Sequence, residues 1–371
     1  MDDYYLNLLS WGTNNVIAVA LNQSVYLWHA SDGHIDNIIN LENDEYITSV
    51  SWNPTSINSN TLAVGTSANK IEIWDTEKLS MIRDMDGHSN RVSSLAWNGN
   101  NNPYLLSSGG RDGCVINHDT RASSTSSSSN INEVLHGHTQ EVCGLAWSPD
   151  GLTLASGGNE NRLCLWDSAM SSSRSQQRTN RGLSNNDSLP RYTIEQHNAA
   201  VKAVSWCPWQ RNVLASGGGT ADRTIRLWNA SNGTNLRTVD TGSQVCAIQW
   251  SLTEKEVVSS HGFSDNQIIL WKYGTRNSTL TRMREFHGHS SRVLHLARSP
   301  DGSTICSASA DETIRFWDIF GSSQSPRSVR ANGTNGSNGV GIDGAGPRRL
   351  SSDGGPGSPS RSGSFGGMHV R

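Results

Sequence analysis

A module of about 45 residues recurs seven times along this 371-residue chain, and this repetition constrains the fold more than any other feature. The clearest copy runs from Gly288-His289 through Pro300-Asp301-Gly302 to Trp317-Asp318. The aromatic residue that closes each copy, replaced by histidine in the third, is found at Trp28, Trp74, His118, Trp166, Trp228, Trp271 and Trp317. Successive intervals between these positions range from 43 to 62 residues. A period of this length with Gly-His and Trp-Asp marks is typical of one four-stranded sheet per repeat.

The pattern inside each copy predicts β-strands. Apolar residues alternate with others in stretches such as 71–74 and 225–228, which is typical of strands with one buried face. Turn signals such as Asp32-Gly33 and Asn232-Gly233 separate these stretches. Repeats of this kind are arranged radially around a central channel. The sequence therefore predicts an all-β fold, a seven-bladed WD-repeat β-propeller that occupies residues 1–320.

Polar residues at fixed places in the module predict a hydrogen-bonded chain inside a blade. His289, Asp311 and Trp317 form the clearest set, with either Ser307 or Ser309 as the hydroxyl partner. Buried polar groups need partners of this kind. Three other histidines occupy the position of His289, and we interpret them as structural as well: His88, His138 and His197.

Three segments lie outside the repeat. Residues 122–132 and 168–190 are expected to form loop inserts, and the second accounts for the longest interval. Residues 321–371 contain almost no apolar residues, so a disordered tail is expected. Six arginines and two aspartates give this tail a charge of +4; because the whole chain carries −3, the propeller carries about −7. A mildly acidic propeller argues against nucleic acid as its partner.

No constellation of residues indicates catalysis, a cofactor or a metal site. The six cysteines are scattered singly, so they indicate neither a zinc site nor a redox motif. Residues 217–219 are three glycines, but a strand pattern follows them, whereas a phosphate-binding loop opens a helix. No residue set supports the rival hypothesis of an enzyme. The longest apolar stretch, Val16–Leu21, is too short to span a bilayer, so no membrane association is expected.

Several stretches are more specific than the repeat itself requires. They are DYYLNL at 3–8, GHTQEVCGLAW at 137–147, AVKAVSWCPWQRNVLASGGGTADRTIRLW at 200–228, GSQVCAIQW at 242–250, SSHGFSDNQIILWKY at 259–273 and GHSSRVLHLARSPD at 288–301. Together they resemble the Fizzy family, the cell-division-cycle-20 and Fizzy-related co-activators of the anaphase-promoting complex. The resemblance covers residues 2 to about 320, and the wording at 2–5 and 207–210 favours the cell-division-cycle-20 branch.

The resemblance implies a non-catalytic receptor that recruits substrates to a ubiquitin ligase by binding short degrons. Family members bind the Lys-Glu-Asn (KEN) degron with polar loop residues near the channel, and the matching positions here are Asp3, Tyr4, Asn159, Asn161, Thr220, Gln244 and Arg292. In this interpretation Asp3 pairs with the degron lysine, Arg292 holds its glutamate, and side-chain amides hold its asparagine. Without the resemblance, Asn159 and Asn161 are turn formers and Arg292 is a loop cation.

The resemblance implies two further sites. Family members bind the destruction box (Arg-x-x-Leu) between the first and last blades, where Glu312 occupies the position that faces the degron arginine. The alternative for Glu312 is a solvated turn residue. It follows Asp311, so the two carboxylates are expected to point in different directions. Val370 and Arg371 match the family's Ile-Arg ending, which docks on a subunit of the ligase.

The sequence departs from the family pattern before residue 3. The stretch that completes the last blade in family members, and the region with the ligase-activating C-box, have no counterpart here; residues 324–330 are the candidate substitute strand. Two functions therefore stay open. One is a degron receptor and co-activator of the anaphase-promoting complex in mitosis. The other is a scaffold or competitor that binds degrons or checkpoint proteins without activating the ligase. The implied partners are subunits of that complex, cyclins, securin-like substrates and spindle-checkpoint proteins, in the nucleus and cytoplasm.

Overall fold

The computed structural model of the protein describes residues 2–122, 130–168, 187–321 and 368–369. These residues form seven sheets, each built mainly of antiparallel strands. Within each sheet the strands are hydrogen-bonded in chain order, from the first to the fourth. The sheets are the seven blades of a propeller, as the repeat predicts.

The strand bounds follow blade by blade. Blade 1 contains β1 (Leu9–Trp11), β2 (Val16–Leu21), β3 (Ser24–His29) and β4 (Ile35–Asn40). Blade 2 contains β5 (Ile47–Trp52), a 3-10 turn (Ser56–Asn58), β6 (Thr61–Thr66), β7 (Ile71–Asp75) and β8 (Ser80–Met85). Blade 3 contains β9 (Val92–Trp97), β10 (Leu105–Gly110), β11 (Cys114–Asp119) and β12 (Ile131–His136), with β16 (Asp187–Ser188) added in parallel to β12. Blade 4 contains β13 (Val142–Trp147), β14 (Thr153–Gly158), β15 (Leu163–Asp167) and β17 (Tyr192–Ile194).

The remaining blades follow the same plan. Blade 5 contains β18 (Val201–Trp206), β19 (Val213–Gly218), β20 (Thr224–Asn229) and β21 (Thr234–Asp240). Blade 6 contains β22 (Val245–Trp250), β23 (Glu256–His261), β24 (Ile268–Gly274) and β25 (Thr279–Phe286). Blade 7 contains β26 (Val293–Arg298), β27 (Thr304–Ser309), β28 (Thr313–Asp318) and β29 (Met368–His369).

The first strands of the blades surround the central channel. Each contacts the first strands of its two neighbours, and β1 closes the ring by contacting both β5 and β26. The seven closing residues that mark the repeat, Trp28 to Trp317, all lie on the third strands of their blades. Apolar side chains between adjacent blades form the core; between blades 5 and 6, for example, Trp209, Trp250 and Tyr273 pack with their ring centroids 5.3 to 5.7 Å apart. Burial of such surface is the main stabilising contribution of the fold.

A β-bulge interrupts the first strand of blades 2 to 7 at the same place. In each of these strands the second residue is left out of the pairing with the neighbouring strand: Thr48, Ser93, Cys143, Lys202, Cys246 and Leu294. A bulge frees backbone groups from the ladder and redirects a side chain. These six residues therefore need hydrogen-bond partners from elsewhere in the channel.

The predicted hydrogen-bonded chain is confirmed in blade 7. The Trp317 indole N–H donates to Ser307 Oγ at 2.8 Å, and Ser307 Oγ lies 2.7 Å from His289 Nε2. His289 Nδ1 lies 3.0 Å from Asp311 Oδ2. Ser307 is thus the hydroxyl partner, whereas Ser309 donates to a backbone carbonyl.

Three other blades build the same chain around the predicted histidines. His197 in blade 5 bonds Asp222 and Ser216, while His138 in blade 4 bonds Glu160 in place of aspartate. In blade 3, His88 bonds Ser108, which in turn bonds His118 instead of a tryptophan. Blade 6 builds a variant that the repeat does not predict, with His261 from the end of β23 between Ser243 and Ser259.

Two segments assigned outside the blades contribute strands. Met368–His369, assigned to a disordered tail, pairs with Thr313 and Ile314 and supplies the fourth strand of blade 7. Residues 324–330, the candidate substitute strand, lie outside the described residues. The insert boundaries also differ from the prediction, because β12 begins at Ile131 and Asp187–Ser188 pairs with β12. Short pairing partners of this kind have no apolar pattern that a sequence could reveal.

Within the described ranges, no helix has the length and apolar character needed to cross a bilayer. In the same ranges, no three His, Cys, Asp or Glu side chains come together in a way that would hold a metal ion.

Candidate peptide-binding face

Residues 2–5 lie across one end of the central channel, here called the upper face. This end carries the loops between the second and third strands of each blade and the loops that lead from one blade to the next. The four side chains reach four different blades: Asp2 contacts Arg292 of blade 7, Asp3 contacts Arg91 of blade 3, Tyr4 contacts Val245 of blade 6, and Tyr5 contacts Asn159 of blade 4. The segment therefore forms part of any surface that the upper face presents.

Asn7 fixes this segment to the bulges of the channel. Its backbone N–H donates to Thr48 O at 3.1 Å. Its side-chain amide donates to Ser93 O at 2.8 Å and to Cys143 O at 2.9 Å. All three acceptors belong to bulge residues, whose carbonyls have left the ladder. One asparagine thus connects blades 2, 3 and 4 and positions residues 2–5 above them.

Asp3 is oriented by a buried ion pair below it. Arg91 donates to both carboxylate oxygens of Glu141, at 2.7 and 2.9 Å, and its third nitrogen donates to Asp3 Oδ2 at 2.9 Å. The side chains of Arg91 and Glu141 are 10% and 7% exposed, whereas that of Asp3 is 34% exposed. Because Glu141 already neutralises Arg91, the Asp3 carboxylate remains available to a ligand cation.

A cleft of about 560 Å³ opens beside Asp3. Its lining is polar and consists of Asp3, Tyr5, Arg91, Arg111, Thr139, Gln140, Glu141 and Asn159. The Asn159 amide is held by two contacts, since its oxygen accepts from Tyr5 Oη at 2.8 Å and its nitrogen donates to Gln140 Oε1 at 2.7 Å. A volume of this size accommodates several side chains of a peptide.

Arg292 provides a basic group on the blade 7 side of the same face. Its Nε donates to Asp2 Oδ1 at 3.0 Å, and its Nη2 donates to Asp2 O at 2.9 Å. Its guanidinium carbon lies 5.2 Å from the centroid of the exposed Phe263 ring. Gln244 lies alongside, since a Cβ on Gly262 would be 2.6 Å from Gln244 Oε1 and 3.2 Å from Arg292 Cγ. The absence of a side chain at Gly262 therefore allows these two residues to approach one another.

The structure brings five of the seven predicted KEN-binding residues into two groups. Asp3 and Asn159 line the cleft, while Gln244 and Arg292 meet at Gly262. Tyr4 belongs with the second group, but it is buried; its hydroxyl donates to Val245 O at 3.2 Å, and burial raises its pKa. The two others occupy loops of the same face without a described contact to either group: Asn161, in a left-handed turn with φ 70°, and the exposed Thr220.

A comparison with protein families identifies the family to which this chain belongs. The sequence model of the CDC20/Fizzy WD40 domain matches residues 1–317. The chain belongs to the CDC20/Fizzy family. Because the match includes residues 2–5 and the rim and loop residues described above, the upper face lies within the family domain.

Individual CDC20/Fizzy proteins are similar over the same region. The anaphase-promoting complex subunit cdc20 of Dictyostelium discoideum is 50% identical over 321 residues, which is 86% of this chain and 58% of the relative. Cell division cycle 20.1, a cofactor of the APC complex in Arabidopsis thaliana, is 46% identical over 86% of this chain and 65% of its own length. A chain in the crystal structure of a mitotic checkpoint complex superposes with a TM-score of 0.76 and 42% identity, covering 86% of this chain and 92% of that one. The chain thus spans about three fifths of the length of these two relatives.

The second site that the family resemblance implies lies at the turn between β27 and β28. Asp311 and Glu312 do point in different directions: the Asp311 side chain is 7% exposed and contacts His289, whereas Glu312 is exposed at φ 61°. Burial alone would raise the pKa of Asp311, but hydrogen bonds from Thr313, Ser290 and His289 outweigh it and lower the pKa to about 2. Among the described residues, the Glu312 side chain has no hydrogen bond or ion pair, and it is exposed to solvent. Val370 and Arg371, predicted to dock on the ligase, lie outside the described residues.

Sequence reasoning missed Arg91 and Glu141, although a signal for them exists. Both stand immediately before the first strand of a blade, as Arg292 does. We call the six equivalent residues of blades 2 to 7 the rim positions: Tyr46, Arg91, Glu141, Ala200, Gln244 and Arg292. Aligning the repeats on their first strands would have placed all six side chains around the channel mouth. Only the structure shows which of them pair with one another.

Proposed function

We propose that this chain is a degron receptor of the anaphase-promoting complex, that it acts as a co-activator in mitotic control, and that it binds KEN peptides on its upper face. Its membership of the CDC20/Fizzy family and the names of its relatives support the first part. Its work is non-catalytic: a bound degron raises the local concentration of substrate lysines near the ligase.

The observation that carries the KEN proposal is the placement of one acidic and one basic group on the same rigid face. The Asp3 carboxylate is held in position by Arg91, and the Arg292 guanidinium lies next to Phe263 and Gln244. A Lys-Glu-Asn peptide carries the complementary charges on neighbouring residues. Charge-assisted hydrogen bonds on a pre-organised surface provide both orientation and selectivity.

Peptide binding to the purified chain tests this proposal directly. Fluorescence anisotropy would compare a KEN peptide with a Lys-Gln-Asn peptide on the wild type, on Arg292→Gln and on Arg237→Gln, an exposed arginine of β21. We expect Arg292→Gln to weaken KEN binding at least about tenfold and to remove the preference for glutamate, because one charge-assisted bond is lost. Arg237→Gln should bind as the wild type does. Equal affinity of all three proteins for KEN would contradict the proposed site.

We propose that destruction-box peptides bind separately, near Glu312. The exposed Glu312 carboxylate suits a degron arginine, and Glu254 on the opposite end of blade 6 offers a matched exposed control. Glu312→Gln should weaken binding of an Arg-x-x-Leu peptide and leave KEN binding unchanged, whereas Glu254→Gln should alter neither. If Glu312→Gln binds the peptide as tightly as the wild type, Glu312 is a solvated turn residue.

The second candidate is a scaffold or competitor that binds degrons or checkpoint proteins without activating the ligase. The similarity to a chain from a mitotic checkpoint complex supports this second candidate. A ubiquitination assay with the anaphase-promoting complex and cyclin or securin-like substrates separates the two. Stimulated ubiquitination supports the co-activator, and inhibition of an added co-activator supports the competitor. Both candidates place the protein in the nucleus and cytoplasm, which imaging of a tagged chain would test.

A further inference from the structure

The central channel contains a cavity of about 230 Å³ that the proposed degron sites do not use. The first strands of the blades line it, and its polar lining includes Asn7, Lys202, Cys246, Gln249 and His295. All of its lining residues are described, and none of them is an aspartate or a glutamate. Burial raises the pKa of the Cys246 thiol to about 12, so this group is neutral. The cavity therefore has one potential charge, that of Lys202.

Lys202 carries this charge at a bulge position. Its ammonium donates to Leu294 O at 3.1 Å and to His295 Nδ1 at 3.4 Å, and it lies 5.6 Å from the centroid of the Tyr4 ring. Neither hydrogen bond is to a carboxylate, and the residue is only 5% exposed. Burial lowers the pKa of Lys202 to about 8, which still leaves it mainly protonated at neutral pH.

This arrangement differs from the way in which the chain satisfies three of the other bulges. Asn7 serves three bulge carbonyls with its backbone N–H and a neutral amide, which brings no net charge into the channel. Lys202 serves one bulge carbonyl with a full positive charge. A buried charge is costly unless a counter-charge accompanies it; the Asp3 carboxylate acts on Lys202 from outside the cavity without an ion-pair contact, and Arg292 opposes it. The need to satisfy Leu294 O therefore does not explain why the group is an ammonium.

His295 adds a donor without an acceptor. An ammonium has only donors, so His295 Nδ1 must accept the hydrogen bond from Lys202. Burial lowers the pKa of His295 well below its usual value, so the ring is neutral and its single proton is on Nε2. His295 Nε2 is buried and has no hydrogen-bond partner among the described residues. The Lys202 ammonium and the His295 Nε2–H thus both require an acceptor.

We propose that this cavity is a binding site for a small oxyanion, a carboxylate or a phosphate, held by Lys202 and His295. An anion would supply the counter-charge for Lys202. It would accept from His295 Nε2, which is fully buried in the free chain, once the ring turns towards the cavity. The volume is ample, because a water molecule in the liquid occupies only about 30 Å³. This inference does not rest on the proposed degron function, since neither residue belongs to the KEN or destruction-box sites.

Inorganic phosphate is the first probe. The thermal midpoint of the whole chain would be measured with increasing phosphate at constant ionic strength, balanced with sodium chloride. We expect a saturable rise of about 2 °C or more in the wild type. Lys202→Met keeps the length of the side chain but removes its charge, and should abolish the rise. Lys255→Met, at an exposed lysine between β22 and β23, should retain it.

His295→Leu provides a second variant that leaves Lys202 in place. It removes one of the two donors, so the phosphate concentration at half-saturation should increase at least about fivefold; if Lys202→Met does not fold, this variant carries the test. The proposal is overturned if the wild type shows no saturable rise. It is also overturned if Lys202→Met or His295→Leu responds as the wild type does, because the anion then binds elsewhere.

A carboxylate could also reach this site from a bound peptide, and a second arm separates the two sources. Lys202→Met would be compared with the wild type for KEN and Lys-Gln-Asn peptides. We expect the ratio of the affinity for the KEN peptide to the affinity for the Lys-Gln-Asn peptide to be the same in both proteins. This result would assign the cavity to a free anion. A selective loss of KEN binding in Lys202→Met would overturn that assignment in favour of the peptide glutamate. Because the phosphate arm needs no degron, it gives a result even if the proposed function fails.

Discussion

Arg91 and Arg292 occupy the same rim position in blades 3 and 7, and each binds one of two consecutive aspartates, Asp3 and Asp2. Their surroundings nevertheless differ. Arg91 is buried and its guanidinium is shared with Glu141, whereas the partner of Arg292 is 64% exposed. The repeat thus uses one position twice, once for structure and once at a surface that a ligand can reach.

We predict that Arg91→Met lowers the free energy of unfolding by about 3 kcal/mol, because it leaves the Glu141 carboxylate buried without a counter-charge, with a hydrogen bond from Ser93 still in place. Chemical denaturation would measure the loss. The double variant Arg91→Met/Glu141→Leu should recover most of it, since a pair of apolar side chains replaces the ion pair. Arg292→Met, which removes an exposed pair, should change stability by less than about 1 kcal/mol. Equal losses in the two single variants would contradict the different roles assigned here.

We predict that Asp2→Ala raises the affinity for a KEN peptide about two- to fivefold. In the free chain the Arg292 guanidinium donates to the Asp2 carboxylate, so a degron glutamate must displace Asp2 from Arg292. An exposed ion pair contributes up to about 1 kcal/mol, which sets the size of the gain. Asp3→Ala, at the neighbouring carboxylate, should instead weaken binding. If Asp2→Ala weakens binding as well, Asp2 positions Arg292 and does not compete for it.

We predict that the propeller loses stability as the pH falls below about 6.5. Burial lowers the pKa of His118 and of His261 to about 3, so both stay neutral in the folded state, while unfolded histidine binds a proton near pH 6.5. Their contribution is present above pH 6.5 and is lost as the pH falls towards 3. At pH 5 each should lower the free energy of unfolding by about 2 kcal/mol.

Denaturant titrations at pH 7.5 and pH 5.0 would measure this dependence. His261→Phe should reduce the difference between the free energies of unfolding at the two pH values by about 2 kcal/mol, because it removes one of the linked protons. His34→Phe serves as the control, since the His34 side chain is 64% exposed. A wild-type chain equally stable at both pH values would show that neither buried histidine stays neutral.

We predict that His118→Trp raises the thermal midpoint by about 2 °C or more. His118 Nε2 bonds Ser108, but its Nδ1 is buried and has no partner among the described residues. Tryptophan would donate to Ser108 as Trp228 does to Ser216 at 2.7 Å, and it has no second ring nitrogen to satisfy. Differential scanning calorimetry would compare it with His118→Phe, which lacks the donor. A lower midpoint for the tryptophan variant than for phenylalanine would show that blade 3 has no room for the indole.

The repeat allowed the architecture to be predicted, because each copy contains the alternation of its strands and the residues of its hydrogen-bonded chain. His289, Asp311 and Trp317 could be grouped in advance for that reason, whereas the choice of Ser307 over Ser309 required the structure. Met368–His369 could not be assigned to blade 7, because two residues pair through backbone groups and need no side-chain pattern.

The candidate site was predictable only in part. The family resemblance identified Asp3 and Arg292, but their contacts in the free chain, Arg91 and Asp2, arise from residues far apart in sequence. The charge of Lys202 was invisible for another reason. In the sequence, Lys202 occupies the position of an ordinary strand residue. Only the bulge directs its side chain towards the channel.

The rim positions determine the orientation, around the channel axis, in which a ligand binds to this propeller. Seven similar blades around an axis would offer a peptide several nearly equivalent rotational settings. The backbone carbonyl of each rim residue accepts a hydrogen bond from the loop after the second strand of its own blade, so the main chain there is fixed. The side chains are free to differ, and the order tyrosine, arginine, glutamate, alanine, glutamine, arginine removes the rotational degeneracy. Evolution can therefore change which setting a ligand adopts by altering single side chains, without disturbing any sheet.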